Sequence, residues 1–318
     1  MKSAHRYGFP PNPGCVVHTD HNFTLNSPLT RFFWWLGFEL RVSYGCIRSD
    51  LWTTIYPGIA ITLAALVHSE ARPCRALALF LVTCLFGWLQ FYSVALAEQL
   101  HARAEDSLNK PWRPLAAGLV SYSSFRLRRN LVGVLYLMLG TALGAGWWCL
   151  AMVAISLLHT QAGLSRLWLT KNILPSLALL AMLAAQWRVI APLTSEVWRW
   201  MAGMFVLLVV IMHLQDLRDL DGDFAAGRRT LPMVLGDRWT RISLAATFLL
   251  MPLADYVLMR LSVNSSKAIW ACYVVTTLLC WEIAWRVLHR RSREADHRTW
   301  RYWEYWFTAM FISMILCL

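Results

Sequence analysis

Long apolar runs separated by short polar connections divide this chain. They lie at about 51–68, 76–99, 130–145, 147–160, 172–189, 197–215, 240–259, 267–287 and 301–318. Most approach the roughly 20 residues that a helix needs to cross about 30 Å of hydrocarbon. None shows the strict apolar/polar alternation of a barrel strand. The pattern predicts an all-α polytopic membrane protein with nine transmembrane helices around a central cavity. The third and fourth runs meet at "GTALGAGWW", where the glycines permit either a break or close packing within one kinked helix. Residues 1–50 form a separate N-terminal region, followed by a transmembrane domain over 51–318. Its first part is polar and rich in Pro and Asn, with no cleavable leader pattern. Its later part, "TRFFWWLGFELRVSYG" (30–45), is aromatic and amphipathic, as expected of a helix lying in the membrane interface.

Composition agrees with a membrane solvent: 58% of the 318 residues are hydrophobic and 15% are charged. The formal net charge of +12 does not indicate a nucleic-acid partner, because the basic residues sit in connections between apolar runs. With nine crossings, every Lys and Arg except Arg72, Arg75, Arg188, Arg199, Arg260 and Lys267 falls on one side. That asymmetry places the N-terminus and the connections after even-numbered crossings in the cytosol. An endoplasmic reticulum membrane is the expected location, and the sequon Asn264-Ser265-Ser266 falls on the lumenal side. The eight cysteines are scattered without CxxC spacing and read as small apolar residues.

Two dense polar stretches share the cytosolic side. The second, "QDLRDLDGDFAAGRRTLP" (215–232), follows the apolar run "MAGMFVLLVVIMHL". At 100° per residue, Asp216, Asp219 and Asp223 fall on one helical face and Asp221 points elsewhere. Three carboxylates gathered at a membrane-buried helix end need a compensating cation. Mg²⁺ fits, being a hard ion commonly shared between a few carboxylates and substrate phosphates. Arg228 and Arg229 suit phosphate oxygens. The first stretch, "EQLHARAEDSLNKPWRPLAAGLVS" (98–121), puts Glu98 and Asp106 on one face with Ala102 between them, and Glu105 in reserve. Lys110 and Arg113 follow, while Asn109 either orients a ligand or caps the turn. His101 reads as a helix-surface residue. Two acid clusters flanked by cations predict paired Mg²⁺ ions holding a diphosphate with a lipid-like tail.

These stretches resemble the two aspartate-rich motifs of the UbiA superfamily of intramembrane prenyltransferases. The second pattern, D-x-x-D-x-x-G-D-x-x-x-G-x-x-[ST]-L-P, is matched at Asp216, Asp219, Asp223, Gly227, Thr230, Leu231 and Pro232. The first, N-D-x-x-D-x-x-x-D then N-[KR]-P-x-R-P-x-x-x-G, departs at its start. Its Asn-Asp pair reads Glu98-Gln99 and its middle Asp reads Ala102, while Asp106, Asn109-Lys110-Pro111, Arg113-Pro114 and Gly118 are kept. "LTKNILPSL" (169–177) is similar to the family's Lys-bearing start of the fifth helix, which makes Lys171 a diphosphate contact by resemblance.

The resemblance implies catalysis by Asp216, Asp219, Asp223, Asp106 and Glu98 as metal ligands. Asn109, Lys110, Arg113, Lys171, Arg228 and Arg229 are then expected to bind the diphosphate of an isoprenyl substrate. Some fungal superfamily members with altered first motifs are terpene cyclases, so the eroded motif leans towards cyclisation of a farnesyl or geranylgeranyl cation. Transfer to an aromatic or other acceptor is the alternative, and a transporter or scaffold ranks third. Aromatic faces stabilise cations by about 0.5–2 kcal/mol. Phe91, Tyr92, Trp187, Trp200 and Trp281 are the expected cavity aromatics. Trp34, Trp35, Trp147, Trp148, Trp300 and Trp303 are expected at the interface. Asp255 and Glu282, inside late runs, either face the cavity or pair with a neighbour.

Overall fold

The computed structural model describes residues 27–260 and 267–317; residues 1–26 and the sequon at 264–266 lie outside them. Among the described residues the regular structure is helical, apart from one isolated bridge between Leu167 and Arg229. In chain order the helices are α1 (Pro28–Ile47), α2 (Ile55–His68), α3 (Pro73–His101), α4 (Arg103–Asn109), α5 (Tyr122–Ala142), α6 (Gly146–Thr160) and α7 (Trp168–Ile190). They continue as α8 (Ser195–Ile211), α9 (Leu214–Arg218), α10 (Leu220–Ala225), α11 (Leu231–Leu235), α12 (Asp237–Arg260), α13 (Lys267–His289) and α14 (Arg293–Cys317).

Five stretches are long and apolar enough to cross a membrane by length and composition: Pro73–His101, Trp168–Ile190, Ser195–Arg218, Asp237–Arg260 and Lys267–His289. α2 and α6 are apolar but shorter. α5 and α14 are long but begin in charge, with Arg126, Arg128 and Arg129 in one and Arg293 to Arg301 in the other. The ends follow local chemistry. Pro73 opens α3, where its missing N–H costs nothing. Ser121 and Thr194 cap α5 and α8 through their hydroxyls. The "GTALGAGWW" segment is a break: α5 stops at Ala142, Gly144 takes φ +75°, and α6 starts at Gly146.

α1 divides in character. Phe32, Phe33, Trp34 and Trp35 are exposed, whereas Val42, Cys46 and Ile47 are buried. From residue 42 onward the helices close a ring. α2, α3, α5, α6, α7, α8, α12, α13 and α14 each pack on the next, and α14 packs back on α2. Glycines set the closest approaches. Cβ atoms at Gly58 and Gly87 would lie 2.7 and 2.8 Å from the Gln186 amide, which locks α2 and α3 against α7. Gln186 donates to Gln90, and Gln90 donates to the Tyr136 hydroxyl, so this buried polar group is satisfied within the helices.

Candidate functional site

The two acid-bearing stretches are interrupted helices. Periodicity predicts one face for Asp216, Asp219 and Asp223, but the chain breaks at Asp219 (φ −101°, ψ 7°) between α9 and α10. The first stretch breaks likewise at Ala102 (φ −97°, ψ 17°) between α3 and α4. The carboxylates therefore approach one another through folding of the connections, not through a shared helical stripe.

In the second stretch, Lys171 from α7 inserts its ammonium between two carboxylates, 2.7 Å from Asp216 Oδ1 and 2.6 Å from Asp223 Oδ2. Asp216 is fully buried, and its Oδ2 also meets His213 Nδ1 at 3.3 Å and Asn172 Nδ2 at 3.5 Å. Asp223 Oδ1 accepts from Arg228 at 3.0 Å, and the same guanidinium donates to Glu105 at 2.7 Å, which joins the two stretches. Among the described residues the Asp219 carboxylate pairs only with its neighbour Arg218, at 3.3 Å. Asp221 lies outside, bonded to exposed Arg293. Arg229 donates its backbone N–H to the Arg166 carbonyl and keeps its side chain exposed.

In the first stretch, Arg113 is buried and donates to Asp106 at 2.8 Å and to Asp50 at 3.2 Å. Lys110 reaches Asp50 at 3.5 Å. Gln99, at the family's Asp position, turns away and donates to the Cys46 carbonyl at 2.9 Å. Asn109 ties the stretches together: its Nδ2 donates to the Asp219 carbonyl at 3.4 Å and its Oδ1 accepts from Arg293 at 3.1 Å. It lies directly on Gly222, where an added Cβ would overlap the Asn109 amide. Gly222→Ala must therefore displace Asn109, an overpacking of about 1–3 kcal/mol concentrated at the site. At least a tenfold drop in turnover is expected, measured beside a melting curve that shows the variant folded.

These groups surround one cavity of about 440 Å³. Glu98, Asp106, Asn109, Lys110, Arg113, Lys171, Asp219, Asp223 and Arg228 line it, as do Asp50, Glu105, His101, Arg166 and Arg218. Asp216 stands behind Lys171, and Arg229 is not part of the wall. The apolar wall includes Phe91, Val94, Met152, Leu179 and Met182. The connections after α3, α6 and α8 and the first turns of α14 all contribute, so the polar mouth opens at the end of the bundle that carries the basic connections.

The cavity aromatics correct the sequence expectation. Phe91 lines the wall, whereas Tyr92, Trp187 and Trp200 are buried in helix packing and Trp281 is half exposed. Trp300 and Trp303, expected at the interface, are buried and line the cavity. They stack at 4.1 Å, with the Arg218 guanidinium 4.3 Å over Trp300 and Glu304 accepting from the Trp300 indole at 3.0 Å. Asp255 is buried against Trp306 and Cys280, and Glu282 pairs with Arg286 on the same helix.

Burial pushes the carboxyls of Asp106 and Asp223 above the usual range, despite the cations beside them. Burial would also raise Asp50, but Lys110 and Arg113 hold it down, at about 2. Asp219 is likewise held low against its burial by Arg218, Lys110 and Lys171. Glu105 Oε2 is buried with no hydrogen-bond partner among the described residues. No three Asp, Glu, His or Cys side chains among them form a ready cage. Hard oxygens of this kind fit Mg²⁺, which favours one or two carboxylates together with substrate phosphates over an all-protein cage.

A family model for the UbiA prenyltransferase family matches residues 51–315. The chain is 38% identical over 280 residues to the somaliensene A/B synthase of Streptomyces somaliensis, covering 88% of this chain and 94% of that one. Two Hericium erinaceus proteins are also similar. The diterpene cyclase eriG is 31% identical, covering 85% of this chain and 86% of its own length. The polyprenyl transferase eriF is 30% identical, covering 87% and 94%. A solved UbiA homologue from Archaeoglobus fulgidus, bound to GPP and Mg²⁺, shares the fold. Its TM-score is 0.62 at 15% identity, over 86% of this chain and 99% of that one.

Proposed function

The chain belongs to the UbiA prenyltransferase family, and from that premise we propose that it is a Mg²⁺-dependent membrane terpene cyclase acting on farnesyl or geranylgeranyl diphosphate. The observation that carries this reading is the convergence of both acid-and-cation stretches on one cavity whose remaining wall is apolar and aromatic. We read the ring of α2, α3, α5, α6, α7, α8, α12, α13 and α14 as nine membrane crossings. The polar mouth then faces the cytosol, by the placement of the basic connections.

The residues divide by what they can offer. Asp219, Glu98, Asp106 and the unpartnered oxygen of Glu105 would hold Mg²⁺. An ion held there would supply charge neutralisation to the departing diphosphate. Asp216 and Asp223 fix Lys171, and Asp223 with Glu105 fixes Arg228, so both cations face incoming phosphate from rigid positions. Lys110 and Arg113 line the same cavity from the first stretch, with Asn109 spanning the two stretches. When the allylic C–O bond breaks, its electron pair leaves with the diphosphate, and these cations stabilise the charge that develops there. The carbocation remains against Phe91, Trp300 and Trp303, whose π faces stabilise it without trapping it. Their apolar neighbours keep out water. A distal double bond of the same chain then attacks the cationic carbon, and loss of a proton to the released diphosphate closes the reaction.

The test supplies membranes with each prenyl diphosphate and Mg²⁺ and no acceptor, then analyses volatile products. Cyclic hydrocarbon is expected, and its absence at every chain length would sink the cyclase reading. The likeness to eriF supports a second reading, transfer to an acceptor. Product that forms only when an aromatic or other nucleophile is added would select it.

A further inference from the structure

The first acid motif is one carboxylate short: Glu98 stands beside the Gln99 that replaces its first Asp, Asp106 is kept, and Ala102 leaves the middle position without one. The missing charge at this wall of the cavity comes from elsewhere in the chain. Asp50, in the turn between α1 and α2, lines the cavity and precedes the family-matched segment 51–315. Its Oδ2 accepts from Arg113 Nη2 at 3.2 Å and from Ser49 Oγ at 2.9 Å, and its Oδ1 lies 3.5 Å from Lys110 Nζ. It therefore holds both cations of the Asn-Lys-Pro-x-Arg-Pro segment. The turn that carries it is fixed. Thr54 and Thr53 donate to the Asp50 carbonyl at 2.6 and 2.9 Å, and Gln99 anchors the preceding Cys46 carbonyl. Gly45 packs on Pro114 so closely that a Cβ there would be 2.9 Å from the ring. Arg113 keeps its Nε without a partner among the described residues, so its donors are not exhausted by Asp106 and Asp50.

We propose that Asp50 is a positioning residue for diphosphate: from outside both motifs it supplies the carboxylate that position 102 lacks, and it holds Lys110 and Arg113 towards the cavity. A planar guanidinium gripped by two carboxylates loses little further freedom on meeting phosphate. A lysine held at one end of its swing presents its charge at a defined place. The inference rests on the diphosphate-site reading given above, but its test needs no turnover.

The full-length chain in detergent is titrated with inorganic pyrophosphate in the presence of Mg²⁺, by calorimetry. Asp50→Asn is expected to weaken binding about tenfold, and Asp50→Glu to stay within threefold of wild type. Asp50→Asn and Lys110→Gln are expected to be non-additive when combined, since one acts through the other. Pyrophosphate affinity unchanged in Asp50→Asn overturns the proposal, as does strict additivity with Lys110→Gln. If Asp50→Asn does not fold, Asp50→Glu and Lys110→Gln decide the matter. A loss in Asp50→Glu as large as that in Lys110→Gln overturns it, because the retained charge then positions nothing. A wild-type chain that binds pyrophosphate yet converts no prenyl diphosphate removes the cyclase reading and leaves this assignment standing. A wild-type chain that does not bind pyrophosphate removes both.

Discussion

Replacing Lys171 with methionine is expected to cost both folding and activity, by more than any other single change at the site. Its ammonium lies within 2.7 Å of two buried carboxylates, and Asp216 has no exposure to water. The methionine stem would keep the packing but leave Asp216 without its ammonium partner and Asp223 with Arg228 alone to balance it. Removing one partner of a buried ion pair costs about 3–5 kcal/mol, because the remaining charge stays desolvated. In a chain of this size that corresponds to a melting temperature lower by about 10 °C. The triple variant Lys171→Met, Asp216→Asn, Asp223→Asn removes the stranded charges and is expected to recover most of the melting temperature while remaining inactive. Thermal melts of wild type, single and triple variants in detergent, beside product assays, separate the two effects. A single variant as stable as wild type would show that the three groups are not an ionic unit.

This trio also marks the limit of what the sequence discloses. The acids are legible in their spacing and Lys171 in its resemblance to a family pattern, but the pairing joins residues 45 and 52 positions apart. No local period encodes that. Periodicity also misassigned the geometry by treating 216 to 223 as one continuous helix, because a break at Asp219 leaves no proline or glycine as a signal at that position. Asp50 carries no motif at all and becomes visible only when the end of α1 packs on Pro114 and brings the following turn to the cavity. The tryptophans failed for a different reason. Hydropathy and helix position cannot separate an indole at the interface from one lining a cavity, so they point Trp300 and Trp303 outward and Trp281 inward. The helical class and the connections that meet at the mouth were readable, because apolar run length and charge asymmetry are properties of the chain alone.

Asp219→Asn is expected to give the opposite profile to Lys171→Met: a fold intact and an activity lower by about 10²–10³-fold, the range seen when one preorganised electrostatic group is removed from an active site. Asp219 lines the cavity, and among the described residues its ion-pair partner is the part-exposed Arg218, which keeps its stacking on Trp300. The substitution therefore strands no buried charge. Arg218, Lys110 and Lys171 hold the Asp219 carboxyl below its ordinary range against its burial, so a negative oxygen is present at working pH for a divalent ion to use. If that oxygen is a metal contact, the variant needs more Mg²⁺. Its residual activity is then expected to rise with Mg²⁺ concentration beyond the point where wild type saturates, while the melting temperature without ligand stays within about 2 °C of wild type, the shift of a sub-kcal/mol surface-like change. Asp221→Asn, two residues away and bonded to solvent-exposed Arg293, serves as the control and is expected to keep activity within threefold. Wild-type turnover in Asp219→Asn at limiting Mg²⁺ would remove this carboxylate from the metal-binding set and leave Glu98, Glu105 and Asp106 to account for it.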